Sequence, residues 1–110
     1  MLDQLAGNIQ HYMSLLSARQ KLVASNIANV DTPGYKTKDI DFRAEFEGAL
    51  QTGSPRAVET PDLAAKNDGN NVSLDREARL LAENALRFNF AAQLAKSQVR
   101  LIRAAIQDAK

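Results

Sequence analysis

Leu74, Ala78, Leu81, Ala85, Phe88, Ala92, Ala95, Val99, Ile102, Ile106 and Ala109 recur at alternating steps of four and three along the last third of the chain. An unbroken seven-residue repeat of this kind describes one side of a long helix that packs in a left-handed coiled coil. The Ala at 85, 92 and 95 would let a partner helix approach closely. Ser73 offers an N-cap, and Asp75 and Glu77 fall in the first turn. Arg100, Arg103 and Lys110 suit the negative end of the helix dipole. A helix over residues 73–109 is about 55 Å long at about 1.5 Å per residue. A compact chain of 110 residues has a radius of gyration of only about 13 Å, so the remaining residues cannot wrap such a helix.

Residues 2–30 supply its natural partner. Leu2, Leu5, Ile9, Tyr12, Leu16, Val23 and Val30 step by threes and fours, with Arg19 and Asn26 filling two slots and Met13 and Ile27 widening the stripe. Thr32-Pro33-Gly34 stops this helix, because Pro lacks an N–H and Gly34 accepts the positive φ of a type II turn. Asp41 is placed to cap a short helix with Phe42, Phe46 and Leu50 on one face. Residues 51–71 gather Gly, Pro, Asn, Asp and Ser and read as a loop or partly extended linker. The expected fold is all-α: an elongated pair of long N- and C-terminal helices forming a coiled coil, with a short helix and an irregular middle segment. The expected domain is a single one. Its N-terminal helix covers about 2–30, the turn and short helix about 31–51, the loop about 52–72 and the C-terminal helix about 73–109.

The apolar residues exceed what one seam can hold. Leu80, Leu86, Phe90, Leu94 and Leu101 lie off it, the last four as a second stripe. Full burial stabilises such side chains by roughly 1.5–3 kcal/mol each, so five of them half-buried represent on the order of 5 kcal/mol. A two-helix hairpin leaves that stripe wet. Either further copies of similar helices cover it, or the middle segment folds back over it. Aromatics are 5% of the chain and Trp is absent, a composition suited to thin helix–helix seams.

Little in the chain suggests chemistry. Without Cys, disulfides and Cys-ligated metals are excluded, and a lone His11 cannot build a His-rich site. Asp39, Asp41, Glu45 and Glu47 read as caps and a solvated face in preference to a cation site. Lys96, Arg100 and Arg103 read as helix-end charge in preference to a nucleic-acid contact, because no groove-reading motif accompanies them. The five glycines are scattered and form no phosphate-binding loop. No catalytic, cofactor-binding or metal-binding residue is expected, and neither is a small-molecule substrate. The N-terminal MLDQLAGNIQHYM has no basic stretch leading into an apolar one, so no cleavable secretory signal is expected. No apolar run approaches the roughly 20 residues of a membrane span. Asn26 falls on the seam of the first helix. It is either a buried amide that fixes register and partner number, or part of a frayed last turn that Asn29 helps to end.

The stretch S-A-R-Q-K-L-V-A-S-N-I-A-N-V-D-T-P-G-Y-K, residues 17–36, resembles the N-terminal signature of bacterial flagellar axial proteins, the family of rod, hook and hook-associated subunits. Its continuation Y-K-T-K-D-I-D-F (35–42) and the later N-N-V-S-L-D-R-E…L-A-E-N-A-L-R-F (70–88) are similar to the proximal-rod members of that family. Only the short middle, about residues 47–69, is unmatched. The resemblance implies a non-enzymatic building block of a hollow helical shaft that transmits torque and encloses an export channel. Its implied partners are other copies of itself, other rod proteins, an adaptor linking the rod to the membrane ring, and the export apparatus during secretion. The implied place is the periplasmic part of the basal body, reached without a cleavable signal peptide. Asn26, Asn29, Asp31, Thr32, Pro33, Gly34 and Tyr35 match the family's box and are expected to form a break between the inner helix and a segment reaching toward neighbours. Phe42, Phe46, Leu81, Phe88, Phe90, Leu94, Val99 and Ile102 are the seam or inter-subunit candidates. The rival from another class is a small soluble helical adaptor or chaperone whose coiled coil binds one partner.

Overall fold

Two side-chain caps start two of the helices. In the computed structural model, which describes residues 2–48 and 55–109, Ser73 takes extended backbone and its Oγ accepts the Arg76 N–H at 3.2 Å. Asp41 does the same for the Ala44 N–H at 3.2 Å. Each cap satisfies one of the four N–H groups that a helix start leaves without a partner. The elements in chain order are α1 (Leu2–Ala28), β1 (Lys38–Ile40), α2 (Phe42–Glu47), β2 (Ala57–Glu59) and α3 (Leu74–Asp108). The expectations for Leu50, Lys110 and the side chain of Leu2 lie outside the described residues.

The two long helices run antiparallel. Asn26 meets Glu77, while Asn84 Nδ2 donates to the Leu16 carbonyl at 2.8 Å and to Gln20 Oε1 at 3.0 Å, so partners on α1 recede as α3 advances. The molecule measures 68 × 26 × 18 Å with a radius of gyration of 18.0 Å, against about 13 Å for a compact chain of this length. It is an elongated, all-α-like rod with an irregular middle. Counted residue for residue from the Asn26–Glu77 contact, α1 runs out opposite Leu101, and every described residue from Val99 onward is exposed.

The middle segment holds a strand pair that the sequence did not disclose. β1 and β2 are antiparallel, with Lys38 opposite Glu59, Asp39 opposite Val58 and Ile40 opposite Ala57. Three residues per strand are too few to show an alternation of polar and apolar positions. The segment lies on α1. Arg19 Nε and a terminal guanidinium nitrogen donate to both carboxylate oxygens of Asp39 at 2.9 and 3.0 Å. The same guanidinium sits 5.2 Å from the Phe42 ring centre, and Tyr12 meets Phe42 and Phe46 edge-on at 5.5 and 6.1 Å. Leu86, Phe90, Leu94 and Leu101 therefore keep their exposure, and the folding-back of the middle over the second stripe does not occur among the described residues.

The larger correction concerns register. α3 turns Glu77, Asn84, Ala91 and Gln98 toward α1, a heptad with three polar members, and half-buries Leu80, Ala92 and Ala95 beside them. The regular apolar seam forms only part of the contact within the chain, through the half-buried Ala92 and Ala95 and through Ala85 and Phe88, which line a groove with Leu16 and Gln20 of α1. Leu74, Leu81, Phe88, Val99, Ile102 and Ile106 are all exposed, as is Ala85. A heptad pattern states that a face wants a partner but not which one, and the polar positions repeat at the same spacing. The small Ala91 and the amides fit a facing helix that offers Asn26, Gln20 and the Leu16 carbonyl. The apolar core is thin: Leu15, Leu16, Val23, Ile40, Val72 and Ala91. Of the eleven large aliphatic and aromatic side chains on α3, ten are exposed and Leu80 alone is half-covered. α3 is inside out.

Candidate assembly site

The break after α1 is a type II turn. The Tyr35 N–H donates to the Thr32 carbonyl at 3.2 Å, Pro33 supplies the first central residue, and Gly34 takes φ 75° at the second. A distant piece of chain clamps this turn. The Gly34 N–H donates to the Asp68 carbonyl at 2.9 Å, and Asn70 Nδ2 donates to the Asn29 and Thr32 carbonyls at 2.9 and 2.8 Å. Asn70 Oδ1 accepts the Val72 N–H at 2.8 Å. Asn71 Oδ1 accepts the Thr37 N–H, and the Asn71 carbonyl accepts the Thr37 hydroxyl at 3.2 Å. Asn29 closes its own end of α1, donating to the Ser25 carbonyl at 2.8 Å and accepting from Thr32 Oγ1 at 3.0 Å. Thr37 and Asn70 have no solvent exposure.

Asn26 is the centre of this cluster. Its amide nitrogen donates to the Lys38 carbonyl at 2.8 Å and to Glu77 Oε1, while Oδ1 accepts from the Lys38 N–H and from Tyr35 Oη, both at 3.1 Å. All four hydrogen-bonding positions of a primary amide are thus used. Glu77 is fully buried and holds Arg76 through Oε2 at 2.9 Å. One side chain joins α1, the approach to β1 and the start of α3. Of the two readings open for Asn26, the buried amide holds, but its partners belong to its own chain.

The matched box therefore divides. Asn26 is buried and Asn29 and Tyr35 half-buried, while Asp31, Thr32, Pro33 and Gly34 form an exposed tip. Phe42 is half-buried and Phe46 is partly exposed on α2. Leu81, Phe88, Phe90, Leu94, Val99 and Ile102 lie exposed along α3, away from the box. Asp39 is engaged by Arg19, Asp41 caps α2, and His11 Nε2 lies 3.0 Å from the Glu45 carbonyl. Among the described residues no group of three His, Asp or Glu is placed to hold a metal ion.

Glu77, Asn70, Asn71 and Thr37 were not singled out from the sequence as site residues. Helix-dipole logic explains an acidic residue in a first turn without requiring it to be buried. A signal was present in N-N-V-S-L-D-R-E, which carried part of the family resemblance without any role attached to its polar residues.

Space around Gly34 is open, since a side chain there would meet nothing within 4 Å beyond its own residue and its chain neighbours, so the backbone alone restricts the position. Gly34→Val is expected to cost about 1–2 kcal/mol at the turn. Circular dichroism should show nearly unchanged helix content while assembly drops clearly. Equal loss of both would contradict a local role for the turn.

A family model described as Flagella basal body rod protein matches residues 13–36, from the middle of α1 through the clamped turn. The chain is 31% identical to the flagellar basal body rod protein FlgB of Escherichia coli K12, over 91% of this chain and 93% of that one. It is 34% identical to FlgB of Salmonella typhimurium, over 91% and 93%, and 34% identical to FlgB of Cereibacter sphaeroides, over 96% and 94%. The Escherichia coli alignment spans 128 positions, more than the 110 residues present here, so that relative carries residues this chain lacks. With near full-length likeness to these subunits, and with the clamped turn inside the stretch that the family model matches, the chain belongs to the FlgB family of flagellar basal body rod proteins.

Proposed function

We propose that this structural subunit of the flagellar basal-body rod polymerises by packing the two exposed apolar stripes of α3 against helices of neighbouring subunits. Helices packed in this way enclose a hollow shaft that transmits torque and surrounds the export channel. The observation that supports this most is the inverted arrangement of α3, with ten large apolar side chains outward and Glu77, Asn84 and Gln98 inward. If each of the ten gains about 1 kcal/mol on covering its exposed half, neighbours supply on the order of 10 kcal/mol. That sum is comparable to the stability of a whole domain.

The chain acts as one rod-protein domain whose partners are its own copies and other rod subunits. An adaptor joins this assembly to the membrane ring, and the flagellar export apparatus delivers the subunit to the periplasmic part of the rod. The exposed tip Asp31–Gly34 meets the next subunit, and its rigid turn has little conformational entropy left to lose on docking. No catalytic role is proposed, because the one histidine is engaged at the α1–α2 contact. The rival adaptor gains nothing from the relatives, which are rod proteins by name. A density map of the assembled basal body tests the proposal. Phe90 and Leu94 are expected against neighbouring helices, and finding both solvated there would contradict it.

A further inference from the structure

Charge is distributed unevenly along the molecule. Between Glu83 and Asp108 the sequence of α3 has no acidic residue and four basic ones, Arg87, Lys96, Arg100 and Arg103. Residues 38–62, which contain both strands and α2, have six acids against three bases, a net charge of −3. Lys96, Arg100 and Arg103 fall at i, i+4 and i+7 and flank one shallow groove with Ala95 and Val99. All three are exposed and carry no ion pair among the described residues.

A recess of about 210 Å³ opens at the β1–β2 pair, where Ile40, Val58 and Pro61 give it apolar walls and Asp39, Asp41, Glu59 and Thr60 give it polar ones, Asp39 being already paired with Arg19. Asp41 and Glu59 are exposed and free of ion pairs among the described residues. Thr60 Oγ1 is buried and without a hydrogen-bond partner. Two carboxylates and an unpartnered hydroxyl beside an apolar wall match a guanidinium on an aliphatic stem, which offers five donors in a fixed fork.

We propose that the basic end of α3, through Arg100 and Arg103, docks in the Asp41–Glu59–Thr60 recess of a second copy of this chain. The contact rests on the polymerisation proposed above and names one of its interfaces. The donor and acceptor are different patches of the same chain. The contact is therefore heterologous, and a heterologous contact that does not close into a ring continues as a filament. Opposite charge sets orientation and register, while the apolar stripes supply most of the affinity.

A charge swap tests this on the intact chain. R100E/R103E and E59R are each expected to raise the concentration needed for assembly at least about tenfold, because each reversed group then faces a like charge across the contact. An equimolar mixture should assemble within about threefold of the wild-type concentration, since each variant's α3 meets the other's recess with opposite sign. The chain has no cysteine, so mixing R103C with E59C subunits should also give a disulfide-linked heterodimer. Variants that assemble like the wild type, or a mixture that stays dispersed, would overturn this contact and leave the polymerisation intact. A wild-type chain that stays monomeric at all concentrations would overturn both. Binding to anionic lipid vesicles with no self-assembly would also contradict the choice of a second copy as occupant.

Discussion

Asn26→Ala is expected to lower the stability of the free chain by about 3–5 kcal/mol, the usual loss when one partner of a buried, charged hydrogen-bond network is removed. The methyl group leaves the Lys38 N–H and carbonyl, Tyr35 Oη and the Glu77 carboxylate short of a partner. Asn26 is itself 1% exposed, so the two backbone groups lie away from bulk solvent, and each orphaned group costs about 1–3 kcal/mol. Asn26→Asp is nearly the same shape and should do no better, because it loses both donors and places a second carboxylate beside Glu77. Urea denaturation followed by circular dichroism measures the change. A loss under about 1 kcal/mol for Asn26→Ala would mean that the network is not holding the helices together. A domain has only about 5–15 kcal/mol in total, so the variant chain is expected to populate its unfolded state visibly.

The second large effect has the opposite character. The triple variant L86Q/F90Q/L94Q should leave helix content unchanged and shift the stability of the free chain by less than about 1 kcal/mol, as surface substitutions do. These side chains are 72%, 66% and 45% exposed, so the monomer gains little from them. Assembly should suffer heavily. Losing about 1.5 kcal/mol of burial at each position raises the concentration needed for assembly by roughly a thousandfold. Sedimentation velocity across a concentration series reads this directly. A variant that unfolds while the wild-type monomer is stable would show that the stripe is covered within the chain.

The contrast between these variants marks what the sequence could disclose. The helices were legible because 3.6-residue spacing, caps at Ser73 and Asp41, and a Thr-Pro-Gly stop are local signals. The surplus of apolar residues on the last helix was legible too, since counting needs no coordinates. The assignment of faces was not. Leu74, Val99 and Ile106 obey the coiled-coil repeat perfectly, yet they are exposed, while Glu77, Asn84 and Gln98 face α1. A pattern rule places leucine inside because it assumes a chain that completes itself. Under the proposed assembly the apolar side is reserved for neighbours, and α3 turns two amides, one carboxylate and Ala91 toward α1. The partners of Asn26 were hidden for a related reason: Glu77 lies 51 positions away, and sequence spacing says nothing about contacts at that range. β1 and β2 escaped because a three-residue strand has no period to detect.

Asn84 shows the cost of the polar seam. Its Nδ2 is fully used, but Oδ1 is buried without a partner, which lowers stability by about 1–3 kcal/mol. Polar residues at such positions select register at the expense of strength. A subunit completed by its neighbours, as proposed above, can tolerate that exchange.

The most direct measurement is amide hydrogen exchange along α3, taken on the dilute chain and again after assembly. Residues 102–108 extend past the end of α1, and a lone helical overhang of this length is marginal in water. They should exchange almost freely in the dilute chain, and residues 75–98 should show only modest protection. Assembly should slow exchange along the whole helix by about a hundredfold or more as neighbours cover both stripes. Strong protection over residues 75–105 in the dilute chain, unchanged on assembly, would contradict the claim that α3 is completed by other subunits.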